Sequence, residues 1–294
     1  MDKELQEVEN EIEATFEEQV VEEERQRLLD TFKEYNERDR VISFKELYNE
    51  LKKTKQVLSV KTKIPQLDML TDGFRAGDLI IMSGTTGMGK TSLLQTFVSN
   101  FDEYNPSLFF TYEVMPRNFL EKFGESMPAF AYIPHQHKDT KIVWLEQRIL
   151  EGIAKYGVKI VMIDHLHYLL DMQTAMRANT SLLIGAIIRQ LKEIAIKYEI
   201  IIFLVAHTKK VKFEEDEIPD LNSLRDSGMV AAEADYVLFI DRKKLEDKTG
   251  YSDKTTLFVA KNRWDGKTGL VKLVYAHNKF TERMDEQKAI AYEP

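Results

Sequence analysis

The sequence predicts an α/β fold, a mostly parallel central sheet flanked by helices, preceded by an N-terminal helical segment. Two observations lead there. From about residue 58 onward, apolar runs that read as strands alternate with segments of helical periodicity, and most of these runs are apolar on both faces. A strand that is apolar on both faces must be covered on both, the situation of parallel strands crossed over by helices. In addition, a glycine-rich stretch sits directly between one such strand and one such helix.

The 294 residues are enough for one sizeable domain with an appendage. Hydrophobic residues at 43% and charged residues at 31% describe an ordinary globular chain. No apolar run approaches the ~18 residues needed to span a bilayer. The acidic start MDKELQEVENEIEATF lacks the basic and apolar parts of an export signal. No membrane association is expected. The absence of cysteine excludes disulfides and thiolate metal ligands, and a cytoplasmic location is the simplest reading. A net charge of −8 argues at first against a nucleic-acid partner. Residues 1–30, however, hold twelve Asp or Glu against three Lys or Arg, so the rest of the chain is close to neutral. A surface that grips a polyanion in one channel needs only local positive charge.

Three regions are expected: 1–57, an acidic helical segment with a linker helix; 58–284, the main domain; and 285–294, a tail. Residues 1 to about 38 lack Gly and Pro and place Leu5, Val8, Ile12 and Phe16 at helical spacing, which fits an amphipathic helix or pair of helices, or a solvated acidic arm. Ser43 followed by Glu46 reads as a capping box before the short amphipathic helix FKELYNELKK. Strands are expected at LIIMS (79–83), LFFTY (108–112), VKIVMID (158–164), IIIFLVA (200–206), YVLFID (236–241) and TTLFVAK (255–261), with helices at TSLLQTFVSN and SLLIGAIIRQLKEIAIKYE.

The stretch Gly84-Thr85-Thr86-Gly87-Met88-Gly89-Lys90-Thr91 fits G-x-x-x-x-G-K-[ST], follows LIIMS and opens a helix. Glycines let successive N–H groups turn toward phosphate oxygens. Lys90 then reaches the β and γ phosphates of ATP and Thr91 holds Mg²⁺. Residues 84–91 and Ser92 are the expected nucleotide-binding set. Asp164 closes the apolar strand VKIVMID at the sheet edge where this loop lies, so it becomes the second Mg²⁺ ligand. Glu113, just past LFFTY, could accept a proton from attacking water, although taken alone it reads as a surface Glu starting a loop. His207, at the end of IIIFLVA, could donate to the γ phosphate, although a lone strand-end histidine is usually structural. His135 and His137 lie close together, but without further ligand types a solvent loop is the simpler reading than a metal site.

Taken together, residues from about Pro65 to Arg283 resemble the RecA-like motor domain of DnaB-type replicative helicases, and more closely the Twinkle and phage primase-helicase branch. IPQLDMLTDGFRAGDLIIMSG is similar to the family's lead-in. TYEVM carries Glu113 where the family has its catalytic glutamate. MIDHLHYLL carries Asp164 and His165, and VAHTKK carries His207 where that branch has its phosphate-sensing histidine. The resemblance implies that Arg225, Asp226 and Gly228 in LNSLRDSGMVAAEADYVLFIDR contact single-stranded DNA. It also implies that Lys261 and Arg263 in VAKNRWDGKTGLVKL approach the ATP of an adjacent subunit, Arg263 as an arginine finger. KELYNELKK sits where the family's subunit-linking helix would be. No primase region fits within 57 residues, so priming is not expected. The activity implied is that of an ATP-dependent helicase moving on single-stranded DNA as a ring, most simply a hexamer, with a loader or primase as further partners. A RecA- or KaiC-like ATPase that does not unwind, and an ATP-gated scaffold or loader, are the alternatives.

Overall fold

A computed structural model describes residues 21–33, 40–53, 59–136, 141–170, 180–207, 221, 224, 227–245 and 250–283. The chain divides into two compact units, Met1–Gln56 and Val57–Pro294. In the first, residues 21–33 form helix α1 and Phe44–Lys53 form α2. Ser43 Oγ accepts a hydrogen bond from the Glu46 N–H at 3.1 Å, the side-chain cap that the sequence pattern implies. Arg40 pairs with Glu46 at 3.6 Å and with Glu50 at 3.5 Å. The expected helical positions Leu5, Val8, Ile12 and Phe16 lie outside the described residues, as does the 285–294 tail.

The second unit is built on nine strands: β1 Leu79–Gly84, β2 Ser107–Thr111, β3 Ala131–Tyr132, β4 Ile160–Asp164, β5 Ile201–His207, β6 Tyr236–Lys244, β7 Tyr251–Asn262, β8 Gly269–Ala276 and β9 Lys279–Glu282. Their order across the sheet is β3-β2-β4-β5-β1-β6-β7-β8-β9. The first six run parallel. The last three turn back antiparallel. Helices α3 (Pro65–Thr71), α4 (Lys90–Asn100), α5 (Pro116–Glu121), α6 (Ile142–Tyr156), α7 (Thr180–Lys197) and α8 (Ser227–Glu233) connect them, with a 3-10 turn at Leu166–Leu169.

Alternate residues of each central strand serve two separate cores. In β1, Leu79 and Ile81 meet Leu145 and Ile149 of α6 and Ile184, Ile188 and Leu191 of α7. Ile80 and Met82 point the other way, to Leu67 of α3, Leu93, Leu94 and Phe97 of α4 and Phe119 of α5. Phe74 anchors the second core, its ring edge-on to Phe203 at 5.1 Å and to Tyr236 at 5.0 Å.

The six strands read from sequence are all present with shifted ends. TTLFVAK is longer than its apolar part suggests, because β7 continues as an antiparallel partner of β6 back to Tyr251. Strands β3 and β9 are short, and the apolar residues of β8 are interrupted by Lys272. They lie toward the sheet's two edges, where one face is partly solvated and burial alternates or is incomplete.

At the base of the sheet, Asp235 precedes β6 and is 2% exposed. Its Oδ2 accepts hydrogen bonds from the Leu79 N–H at 2.8 Å and from Lys192 Nζ of α7. Its Oδ1 lies 3.2 Å from the Arg263 guanidinium. The Asp235 main chain is paired as well, its N–H donating to Leu79 O and its carbonyl accepting from Arg263 N, both at 2.9 Å. One carboxylate thereby joins β1, β6, α7 and the end of β7. Removing it takes the counter-charge from the largely covered Lys192 and the acceptor from the buried Leu79 N–H, and breaking such a pair costs up to about 3–5 kcal/mol. Asp235→Ala is therefore expected to lower unfolding stability by about that amount, and urea denaturation followed by circular dichroism measures it.

Candidate active site

The C-terminal edge of the parallel strands forms a row. Gly84 at the end of β1 pairs in register with His207 at the end of β5, and Thr111 of β2 with Asp164 of β4. On the far side, Ser83 pairs with Phe239 of β6, which brings Ile240 beside Gly84. Sheet order, rather than chain order, therefore collects four strand ends at one edge, with the middle of β6 passing beside them.

The glycine loop curves over this row. Gly84 has φ 151°, and a Cβ there would come within 2.4 Å of the Ile240 carbonyl. Gly89 has φ 97°, and a Cβ there would meet the Phe280 ring at 2.9 Å. Both positions require glycine for backbone shape and for space. The bend ends in α4, whose first turn follows Gly89 with no side-chain cap, so its N–H groups face the loop. Lys90 is buried, which lowers its pKa, and its Nζ donates to the carbonyls of Gly84 at 2.8 Å and Thr85 at 3.0 Å. A lysine so held pins the loop while keeping its charge at the concavity.

Thr91 Oγ1 donates to Asp164 Oδ2 at 2.6 Å. Asp164 is 1% exposed, and its second oxygen, Oδ1, is buried with no hydrogen-bond partner among the described residues. Burial, reinforced by the nearby Glu113 charge, pushes the Asp164 carboxyl up to about 6 against the lowering effect of the Thr91 hydrogen bond. A hydroxyl and a half-satisfied carboxylate side by side form an oxygen donor set suited to a hard divalent cation.

Glu113 lies two residues beyond β2, and its Oε2 stands 3.3 Å from His165 Nδ1. His165 Nε2 is in turn 3.0 Å from His207 Nε2. Burial holds both histidines down to about 4. As neutral rings, one nitrogen of the facing pair donates and the other accepts. His167 completes a group of three, with its ring centroid 5.1 Å from that of His207.

Lys261 and Arg263 are elsewhere. Strand β7 runs antiparallel to β6, with Lys261 opposite Val237 and Asn262 opposite Tyr236. Its last residues therefore lie at the base of the sheet, about 16 Å from the glycine loop at roughly 3.3 Å per residue along β1. Lys261 Nζ donates to the carbonyls of Ala231 at 2.6 Å and Ala234 at 2.8 Å, at the C-terminal end of α8. Arg263 contacts the Ala232 carbonyl and Asp235. Gly228 is in the first turn of α8. Arg225 and Asp226 lie outside the described residues, as does His137, while His135 is exposed.

The sequence reading did not single out Arg242, Tyr251, His165 or His167 as site residues. Arg242, past the apolar part of β6, donates its N–H to Met88 Sδ at 3.3 Å and its Nε to the Ser252 carbonyl at 2.9 Å. Tyr251 lies over Gly87, and its hydroxyl is 3.5 Å from the Thr86 carbonyl. The signal was available for Arg242, since it follows an apolar run as Asp164 and His207 do. For Tyr251 it was absent, because a hairpin return delivers it.

Comparison with known proteins fits this geometry. The sequence model of the DnaB-like helicase C-terminal domain matches residues 59–123 and 120–283. The chain belongs to that family. Replicative DNA helicase DnaB of Mycoplasma pneumoniae is 25% identical over 279 residues, covering 80% of this chain and 59% of the relative. Its counterpart in Mycoplasma genitalium is 27% identical over 246 residues, covering 71% of this chain and 52% of the relative. The chain thus spans between half and three fifths of these relatives. Among solved structures, an ATPase domain superposes with a TM-score of 0.67 at 20% identity, covering 81% of this chain and 96% of that one. A DnaB-like replicative helicase studied with primase gives 0.68 at 19%, covering 91% and 74%. The fold is RecA-like, and membership of the family implies nucleotide binding.

Lys90→Ala removes the cation from the concavity. A hydrogen bond to a charged group is worth about 1.5–3 kcal/mol, so affinity for a fluorescent ATP analogue is expected to fall roughly 10- to 100-fold, measured by anisotropy.

Proposed function

We propose that this chain is the motor of an ATP-hydrolysing DNA helicase, assembled as a ring of six copies that moves along single-stranded DNA during replication. The observation that carries the reading is the separation of two charge groups on one sheet. The phosphate-facing set, Lys90, Thr91, Asp164, Glu113 and His207, occupies the C-terminal edge, while Lys261 and Arg263 occupy the base. That separation supports a role for Arg263 at the loop of a neighbouring copy, and in this reading the chemistry requires assembly.

Each side chain then has a role. Lys90 and the loop N–H groups hold the β and γ phosphates. Thr91 Oγ1 and Asp164 hold Mg²⁺, a role supported by their 2.6 Å contact and by the unpartnered Asp164 Oδ1. When bound, the ion neutralises charge between the phosphates. Glu113 orients water and takes its proton, and His165 positions that carboxylate through the 3.3 Å approach. His207 senses the γ phosphate. Arg263 of the adjoining copy adds positive charge as the phosphoryl group transfers, with Lys261 beside it. Arg225, Asp226 and Gly228 are the proposed contacts to the DNA backbone. A cytoplasmic location belongs to the same reading. The named interaction of one structural neighbour with primase makes a primase, or a loader, a reasonable further partner.

Three outcomes separate the possible activities on forked DNA. Strand displacement that requires ATP supports the helicase. ATP turnover without displacement points to a RecA- or KaiC-like ATPase, and binding without turnover to a scaffold or loader. An arginine finger contributes about 10³-fold or more to turnover, so Arg263→Ala is expected to lose roughly that factor. Mixing Lys90→Ala with Arg263→Ala is expected to restore part of the ATPase, since each supplies what the other's interface lacks. Two inactive preparations that stay inactive when mixed would exclude action in trans.

A further inference from the structure

Beside the proposed phosphate site three buried or half-buried histidines cluster, and the motor roles proposed for His165 and His207 account neither for His167 nor for the grouping. From each of His165, His167 and His207 one ring nitrogen lies within 4.8 Å of the others. Two of these nitrogens, Nε2 of His165 and Nε2 of His207, are already 3.0 Å apart. Nitrogens bonded to one tetrahedral zinc at about 2.0–2.1 Å stand roughly 3.3 Å from each other, so this pair is at metal-sharing distance. The ring of His167 lies 5.5 Å from that of His165 and 5.1 Å from that of His207, centroid to centroid, and both its ring nitrogens are buried. One of those nitrogens is within 4.8 Å of a nitrogen on each of the other two rings.

A second, independent feature has the form that metal-binding histidines take. The outer nitrogen of such a ring is usually held by a carboxylate, which fixes its tautomer and strengthens the ligand. His165 turns Nε2 toward His207, while its Nδ1 lies 3.3 Å from Glu113 Oε2, a close approach without hydrogen-bond geometry that a small turn of the exposed carboxylate would align.

We propose that His165, His167 and His207 bind a borderline transition-metal ion of the Zn²⁺ or Co²⁺ class, with Glu113 supporting His165 from behind and a fourth position open to solvent. This site is chemically distinct from its neighbour at Thr91 and Asp164. Imidazole nitrogens favour zinc, cobalt and nickel, whereas hydroxyl and carboxylate oxygens favour magnesium. Millimolar Mg²⁺ therefore does not compete for it. If the roles of His207 and Glu113 proposed above hold, occupancy engages both and slows hydrolysis without expelling the nucleotide.

The test uses the untagged full chain, free of nucleotide, in excess Mg²⁺. Titration with Co²⁺ is expected to give the visible absorption bands of a four-coordinate ion, saturating at one equivalent per chain and bleached by one equivalent of Zn²⁺. His167→Gln and His207→Gln, each checked for fold by circular dichroism, are each expected to lose the bands. The double variant His135→Gln/His137→Gln is expected to keep them. The proposal is overturned by absence of stoichiometric bands, by bands that persist in both single variants, or by bands lost only in the double variant. Binding of a fluorescent ATP analogue, followed separately, reports on the nucleotide reading, so that either can fail without the other.

Discussion

Strand β1 lies between β5 and β6, hydrogen-bonded in parallel to both, and everything chemical in this chain depends on that ladder. Because the strands share direction and register, their ends fall at common levels: Gly84, His207, Thr111 and Asp164 at the top, and Leu79 with Asp235 at the base. A slip of one residue in β1 would exchange Leu79 and Ile81 for Ile80 and Met82 between the two cores and carry the glycine loop off the row. Two fully apolar interfaces make that slip prohibitive. The geometry of the loop is thus set by packing several residues below it.

The same ladder explains why the two charge groups remain apart. Lys90 is tied to its own loop carbonyls and Arg263 to the base, each by bonds that its strand end dictates. A monomer with both groups in one cleft would need β7 to run the other way. The antiparallel return after β6 makes the sheet two-ended, with Lys90 at one end and Lys261 and Arg263 at the other.

Legibility of the sequence followed burial. Strands covered on both faces, such as β1, β4 and β5, wrote continuous apolar runs and could be read, and the glycine spacing marked the loop between β1 and α4. Strands β3, β8 and β9 could not, because a half-covered strand alternates and a two-residue one has no pattern at all. Asp164 and His207 were readable because each ends an apolar run. His167 lies on a 3-10 turn and Tyr251 on a hairpin return, and only the folded chain brings them to the row. Asp235 was invisible as the tie at the base, since its partners Leu79, Lys192 and Arg263 are distant in sequence and nothing local announces them.

Strand β9 carries a final consequence. Phe280 fills the space beneath Gly89, and its N–H donates to Thr96 Oγ1 on α4 at 3.0 Å. One wall of the loop's cradle is therefore contributed by a residue almost two hundred positions further along the chain. On the ribosome, the glycine stretch emerges early but lacks that wall until nearly all of the domain has been synthesised. The cleft is consequently among the last features of the domain to be completed.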